Sequence, residues 1–338
     1  VVIDTCAAIE QIVNAYGLSP YQIEQVSGRL YKVNDGQNTY ALKQSKLTEH
    51  TVQGWEQVYH QAYAYDLSAI LPVYLTVHSQ LYVKTEDFYY YLTPWIIDKN
   101  PSFERAVTNI YEVLGNVHAR TKQSISIDTE PIIQEFKRYQ KHCAECQNEL
   151  LSYVELFERN RFMSPFELQV CTHYHVLVKV LAELNHHIER LKDELEHEQK
   201  WNYSLLHGNP DLSHFVHAHN AFLINWEKAV YDNAVFDLSA MLQRQAQYYG
   251  RQSEQLAELF TIYKNKNPLT VIEQYLLSIY LMDPSDYIAR INQYMTNAGQ
   301  QPMVKHVQLL QRAFRRLEFG LRWTELTEHD GTENESQD

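Results

Sequence analysis

The sequence predicts an α+β chain in two parts: a small antiparallel-sheet lobe over residues 1–96 and a large, mainly helical lobe over residues 97–326. Three observations predict it. Before Trp95, apolar and polar residues alternate between turn signals. From Phe103 to Lys200 the apolar residues recur at helical spacing. After Tyr203 a single short strand pair interrupts the helices.

Taken in order, Ala8, Ile9, Ile12 and Val13 follow helical spacing behind Asp4 as a cap, so an amphipathic helix opens the fold over residues 5–15. YQIEQVSGRLYKVNDGQNTYALKQS alternates between turn signals at Ser27-Gly28 and Asn34-Asp35-Gly36, the pattern of strands joined by tight connections. Residues 48–67 return to helical character. PVYLTVHSQLYVKTEDFYYYLTPWI, dense in Val, Tyr and Phe, predicts more strand. The lobe boundary falls at residues 95–101. Beyond it FERAVTNIYEVLGNVHARTKQ, PIIQEFKRYQKHCAECQNELLSYVELFERN and SPFELQVCTHYHVLVKVLAELNHHIERLKDELEHEQK all read as helix. Residues 214–216 and 221–225 then predict a hairpin around Ala218-His219-Asn220, and helices resume at Asp237. The end, TEHDGTENESQD, is acidic and aperiodic, which predicts a disordered tail over residues 327–338.

Composition narrows the function classes. With 29 Lys+Arg against 42 Asp+Glu, the net charge is −13, so nucleic acid held by general electrostatics is excluded as a partner. No apolar run approaches the roughly 18 residues of a membrane span. Residues 1–10 lack the charged start and apolar centre of a signal peptide, so the expectation is a chain that folds in the cytosol. Cys6, Cys143, Cys146 and Cys171 are too scattered for a disulfide framework. The Cys143/Cys146 pair lies in a helical stretch with no second pair, which argues against a metal or redox site. The local pairs His173/His175 and His186/His187 lack the spacing of helical zinc sites and read as polar positions.

The motifs carry more. YALKQS places Lys43 on the strand after the Gly36 turn, VLGNVHART carries His118 after Leu114, and LLHGNPDLSHFV is followed by LINWEKA and then by FDLSAML. Together they resemble the L-x-x-x-H helix and the H-G-D-x-x-x-x-N, I-D-[WF]-E and D-L-A series of the aminoglycoside and choline phosphotransferase superfamily. The resemblance covers roughly residues 5–325 and implies a two-lobed protein-kinase-like fold. In such folds the lysine at the position of Lys43 holds nucleotide phosphates. Within the superfamily the LLHG…LINWEKA…DLSAML series, the acidic helical insert and the lack of a Gly loop look most like the bacterial spore-coat kinase-like proteins of the CotS and YutH type. That likeness implies other spore-coat proteins as partners. It also implies synthesis in the mother-cell cytoplasm, followed by location in the coat of endospores formed by Bacillus and its relatives.

In active relatives the Asp of H-G-D serves the attacking hydroxyl, and the Asn and the second Asp bind magnesium. This chain departs at all three. Asn209 stands at the base position, where a neutral amide has no useful basicity. His214 and Asn225 stand at the metal positions, where a hard cation wants oxygen anions. Asp211 is a candidate surrogate base or a turn residue, and Glu227 and Asp232 are carboxylates that could reach toward a cation. For Lys43, Glu56 is the first candidate ion-pair partner and Glu49 the second. Ser27-Gly28 lacks the glycine spacing that wraps phosphates, so no cofactor is expected and any ATP or magnesium binding should be weak. His207 and Asp237 match positions that brace the catalytic segment. Arg312, Arg315, Arg316 and Arg322 form a basic patch that reads as a solvated face, an intramolecular partner for acidic helices or a docking site. The 25 Tyr read mainly as packing.

These substitutions make a catalytically inactive, partner-binding protein the leading expectation. The alternatives are an active phosphotransferase acting on a hydroxyl of an amino alcohol, sugar or aminoglycoside through an atypical metal site, and a nucleotide or metabolite sensor that binds without turnover.

Overall fold

The computed structural model describes residues 2–97, 101–217, 220–247, 252–297 and 299–334. Its early elements are α1 (Val2–Asn14), β1 (Gln22–Ser27), β2 (Leu30–Asn34), β3 (Thr39–Ser45), α2 (Val52–Ala64), β4 (Val83–Lys84), β5 (Tyr89–Pro94) and α3 (Phe103–Thr121). There follow β6 (Gln123–Ser126), α4 (Glu130–Glu158), α5 (Pro165–His197), β7 (Lys200–Leu206), β8 (Phe215–His217), β9 (Ala221–Leu223) and β10 (Val230–Asp232). The chain continues through α6 (Val235–Ala246), α7 (Gln252–Glu258), α8 (Phe260–Lys266), α9 (Val271–Leu281), α10 (Ser285–Asn297) and α11 (Met303–Asn334). These elements form two compact units, residues 1–122 with 204–232 and residues 123–203 with 233–338.

The first unit is built on an antiparallel sheet in the order β1-β2-β3-β5-β4. Local chemistry sets its turns. Asp35 Oδ1 accepts from the amides of Gln37 and Asn38 at 2.8 and 2.6 Å, and Asn34 Oδ1 accepts from Gly36 at 2.7 Å, closing the β2–β3 connection. Register then divides the side chains between two faces. Tyr31 pairs with Leu42 and Val33 with Tyr40, and these four pack with Tyr90, Leu92 and the α1 residues Ile9, Ile12, Val13 and Tyr16. The opposite face carries Ala41 and Lys43, paired with Thr93 and Tyr91 of β5. There α2 contributes Trp55, whose ring lies 5.0 Å from that of Tyr91.

Residues 72–80 do not form the expected strand. Pro72 has no amide hydrogen, and the segment is tied by single bonds, Tyr74 N to Leu92 O at 2.8 Å and Val77 N to Ala15 O at 3.0 Å, before Ser79 turns with φ 59°. Strand character returns in the two residues of β4 and then in β5.

Helix α3 belongs with the sheet rather than with the later helices, as does the segment 204–232. Buried polar bonds tie them together: Ser204 Oγ donates to the His118 carbonyl at 3.0 Å, and the Leu205 amide donates to Thr121 Oγ1 at 2.9 Å.

In the second unit α5 packs against α4, α9 and α11. Its buried Leu177, Leu181, Leu184, Ile188, Leu191 and Leu195 recur at alternating spacings of three and four, which keeps one apolar seam along a long helix. Ser164 and Glu167 form a capping box at its start, as Thr270 and Glu273 do for α9. The stretch from Phe103 to Lys200 is not uniformly helical, because β6 pairs antiparallel with residues 200–203. All four β6 side chains are exposed, so no apolar alternation marks the strand in the sequence. Helix α11 runs through residues 327–334, which the sequence reading left unstructured, and residues 335–338 lie outside the described ones. Extending a helix already anchored by packing adds one hydrogen bond per residue with no new nucleation. Among the described residues no helix is long and apolar enough to cross a membrane.

Candidate functional site

The chain leaving β7 folds into a tight scaffold. Gly208 takes φ +75°, and a Cβ there would lie 2.0 Å from the Lys228 carbonyl oxygen. His207, fully buried, holds both ends of this scaffold. Its Nε2 donates to the Ile224 carbonyl at 2.8 Å, and its Nδ1 accepts from the Asn209 amide at 3.3 Å. The ring also meets Trp226 edge-on at 4.9 Å. His214 Nδ1 donates to the Asn209 carbonyl at 2.9 Å, and the Ile224 amide donates to the His214 carbonyl at 2.9 Å. Thus Asn209, His214 and Asn225, the three positions that depart from the motifs the sequence resembles, are brought into one structure. The expected hairpin is present as β8 and β9, with Phe215 opposite Leu223; Ala218 and His219 of its turn lie outside the described residues.

Asn225 sits in the left-handed region at φ 72°, ψ 47°, a conformation that Asn and Asp tolerate better than other residues with a Cβ. It leads into a short 3-10 turn, Trp226–Lys228, that buries Trp226. The Asn225 Oδ1 accepts from Lys43 Nζ at 2.5 Å, and Glu227 Oε1 also lies 2.5 Å from that ammonium. Tyr91 donates to the same carboxylate oxygen at 2.9 Å, Ser45 Oγ lies 3.4 Å from it, and the Tyr91 ring centroid is 5.6 Å from Lys43 Nζ. Burial alone would raise the Glu227 pKa. The Lys43 charge and hydrogen bond, a backbone amide and Tyr91 outweigh it and hold the carboxyl below its ordinary range. Burial raises the Tyr91 and Tyr59 hydroxyls well above theirs, so both keep their protons.

This corrects the expected pairing. Lys43 is held by Glu227 and not by Glu56 of α2, while Glu49 pairs with Lys84 at 2.6 Å. Glu227 belongs to the quoted LINWEKA segment, yet its role as the partner of Lys43 and the part played by Tyr91 were not foreseen. No sequence signal marked it, because the β3–β5 register that sets Lys43 opposite Tyr91 is decided by strand pairing.

Beside Lys43 lies a cavity of about 400 Å³. Leu30, Ala41, Leu71, Val216 and Ile224 supply aliphatic surface, and Tyr59, Tyr91 and Trp95 supply aromatic surface. Arg29, in the β1–β2 turn, is the second cation of the lining.

The motif resemblance noted in the sequence implies magnesium with a nucleotide, and the donors present do not fit it. The Asn225 carbonyl oxygen and the Glu227 carboxylate are both engaged by Lys43, and His214 offers an imidazole where a hard cation prefers oxygen. Among the described residues no cluster of three or more His, Cys, Asp or Glu could hold a metal ion. Asp211 accepts from the Ser213 amide at 2.8 Å and from its hydroxyl at 2.5 Å, the geometry of a turn cap. Asp232 lies in β10 opposite Ser204.

The other singled-out residues lie in the second unit. Asp237 is buried in the first turn of α6, where a helix N-terminus favours negative charge. Of the basic patch, Arg316 pairs with Asp286, Arg322 lies 3.2 Å from Glu254, and Arg315 donates to the Gln247 carbonyl at 3.3 Å. Three of its four arginines therefore make intramolecular contacts, and Arg312 is exposed. Burial pushes the Cys143 and Cys146 thiols up to about 12 and about 11, which keeps them protonated at neutral pH.

Sheet order, the β7–β10 scaffold and the helical second unit define a kinase-like fold. The same fold occurs in an aminoglycoside phosphotransferase from Alicyclobacillus acidocaldarius. That protein is 19% identical, with 94% of this chain and 96% of that one covered, at a TM-score of 0.70. A spectinomycin phosphotransferase solved with ADP and spectinomycin is 13% identical, covering 94% and 98% of the two chains at a TM-score of 0.53. A microcompartment-associated aminopropanol kinase is also 13% identical, covering 94% and 100% at a TM-score of 0.52. No protein-family model and no curated protein matches the chain.

Proposed function

We propose that this chain is a kinase-fold binding protein that does not carry out ordinary magnesium-dependent phosphoryl transfer. One observation carries the reading. The ammonium that would meet nucleotide phosphates is engaged by Asn225 and Glu227, both from the segment that should hold the metal. With Asn209 at the base position, general-base assistance worth about 10² to 10⁴-fold is also missing. The likeness to spore-coat kinase-like proteins supports a partner-binding role in a spore coat, tested by whether a fluorescent fusion collects on spores or stays in vegetative cells.

The test of inactivity is a transfer assay with ATP and magnesium or manganese against aminoglycoside, amino-alcohol and sugar acceptors. No product is expected. Magnesium-dependent transfer that disappears in Lys43→Ala would overturn the reading. Activity appearing only in the Asn209→Asp/Asn225→Asp double variant would support it. The second reading is an active small-molecule phosphotransferase, favoured by the fold shared with the aminoglycoside phosphotransferase and the aminopropanol kinase. On that reading Glu227 must leave Lys43 to reach a cation.

A further inference from the structure

Lys43, Asn225 and Glu227 bring together an amine, a carboxamide and a carboxylate able to carry a proton between them. Lys43 Nζ lies 2.5 Å from Asn225 Oδ1 and 2.5 Å from Glu227 Oε1. An ammonium only donates, so the Asn225 atom that faces it is the carbonyl oxygen. The carbonyl carbon is one bond of about 1.2 Å beyond that oxygen, which puts it within about 3.7 Å of Nζ. A nucleophile and its target react from a separation of about 3–3.5 Å, so a small rotation of the amide completes the approach.

Both reacting groups are carried on fixed backbone. Lys43 lies between Leu30 of β2 and Tyr91 of β5 in the sheet. Asn225 is held by its left-handed conformation, by the His207 bond to the Ile224 carbonyl before it and by buried Trp226 after it. The Tyr91 ring centroid is 5.6 Å from Nζ, and the Trp55 ring packs on Tyr91. Only 25% and 14% of the Lys43 and Glu227 side chains are exposed. Scarce solvation narrows the gap between the ion pair and its uncharged form, in which the proton sits on the carboxylate. Tyr91 donates to the same Glu227 oxygen at 2.9 Å and keeps that carboxylate against Nζ.

We infer that Lys43 Nζ and Asn225 Cγ join in an intramolecular isopeptide bond, with Glu227 as the proton carrier and ammonium as the product. Glu227 takes one proton from the Lys43 ammonium, and the freed lone pair of Nζ adds to Cγ. That proton and a second one from Nζ pass to the amide nitrogen. The bond from Cγ to Nδ2 breaks, ammonium departs and Glu227 is left ionised. The resting arrangement is the ion pair, so the bond closes slowly after folding. It ties β3 to the turn after β9, 182 residues further along the chain. The inference goes beyond the proposed function and is tested apart from it.

Mass spectrometry of the full chain tests it, first as purified and again after prolonged incubation of the folded protein. The expected result is an intact mass lower by one ammonia. Tryptic digestion should then yield a branched peptide joining the Lys43 and Asn225 segments, with no cleavage at Lys43. Lys43→Arg keeps a cation beside Glu227 without an amine that can be acylated, and Glu227→Gln keeps the shape but accepts no proton. With folding checked by circular dichroism, neither variant is expected to lose ammonia or to give the branched peptide. Should neither variant fold, the peptide map of the unaltered chain decides. An unchanged mass in both samples, or ammonia loss without the branched peptide, as a succinimide at Asn225 would give, overturns the inference. A branched peptide that persists in folded Glu227→Gln also overturns it. Product in the transfer assay sinks the inactive reading, whereas these masses decide the bond.

Discussion

Glu227 Oε1 stands 2.5 Å from Lys43 Nζ, and 14% of the Glu227 side chain remains exposed. A buried pair of this kind is costly to break from one side, because the survivor is left charged with poor solvation. Lys43→Met should therefore destabilise the first unit by about 3–5 kcal/mol, whereas Lys43→Met/Glu227→Gln should recover most of the loss. Urea unfolding at pH 7 of the two single variants and the double variant measures this. Additive effects would show that the two groups do not interact.

Gly208 combines a positive φ with a backbone neighbour where its side chain would be. Gly208→Ala must meet the Lys228 carbonyl oxygen at 2.0 Å in a left-handed conformation that by itself costs about 1–2 kcal/mol. The expected outcome is a loss well above that figure, with the His207 scaffold displaced. Thermal unfolding and the histidine ring signals in NMR report both.

Gly320 offers a prediction whose sign is unusual for its position. In an exposed helix Gly→Ala stabilises by about 1 kcal/mol. In α11, however, a Cβ at Gly320 would lie 2.5 Å from the Leu281 carbonyl oxygen at the end of α9. Gly320→Ala should lower Tm, and a raised Tm would mean that the two helices are not in close contact.

Acid should weaken the fold in two stages. Burial lowers the pKa of His173, stacked on Phe314 at 3.6 Å, to about 4, and burial with the neighbouring His186 does the same to His187. The unfolded chain protonates these rings near their ordinary value of about 6.5 and the folded chain only near 4, so their contribution is complete above about 6.5 and is lost as pH falls toward 4. Glu227 has a lowered folded pKa, so its contribution is present above the ordinary carboxyl value and disappears as pH falls through the folded one. Unfolding free energy measured from pH 7 to pH 3.5 should fall throughout. Replacing His173 and His187 with Phe should flatten the upper part of the curve, and Glu227→Gln the lower part.

Much of the fold was legible because local periodicity and turn chemistry are written in neighbouring residues. The helix α1, the first three strands and the hairpin of β8 and β9 follow from such patterns, whereas the kinase-like fold class was implied by the motif resemblance. Strand β6 did not, since four exposed residues carry no alternation and form a strand only because residues 200–203 lie alongside. Nor did the placement of α3, whose helical pattern is clear but whose membership in the first unit rests on bonds to Ser204 and Leu205.

The site divides in the same way. The sequence by itself determined which groups were available: a lysine on a strand, amides at 209 and 225, an imidazole at 214, and a glycine at a turn that a Cβ would obstruct. Only the tertiary structure decided that Lys43 is satisfied by Glu227 and not by Glu56. That choice depends on strand register setting Lys43 beside Tyr91, and on Asn225 turning the chain through a left-handed conformation before Glu227. Charge pairs are chosen by distance and burial, and both are set by the packing of segments remote in the chain.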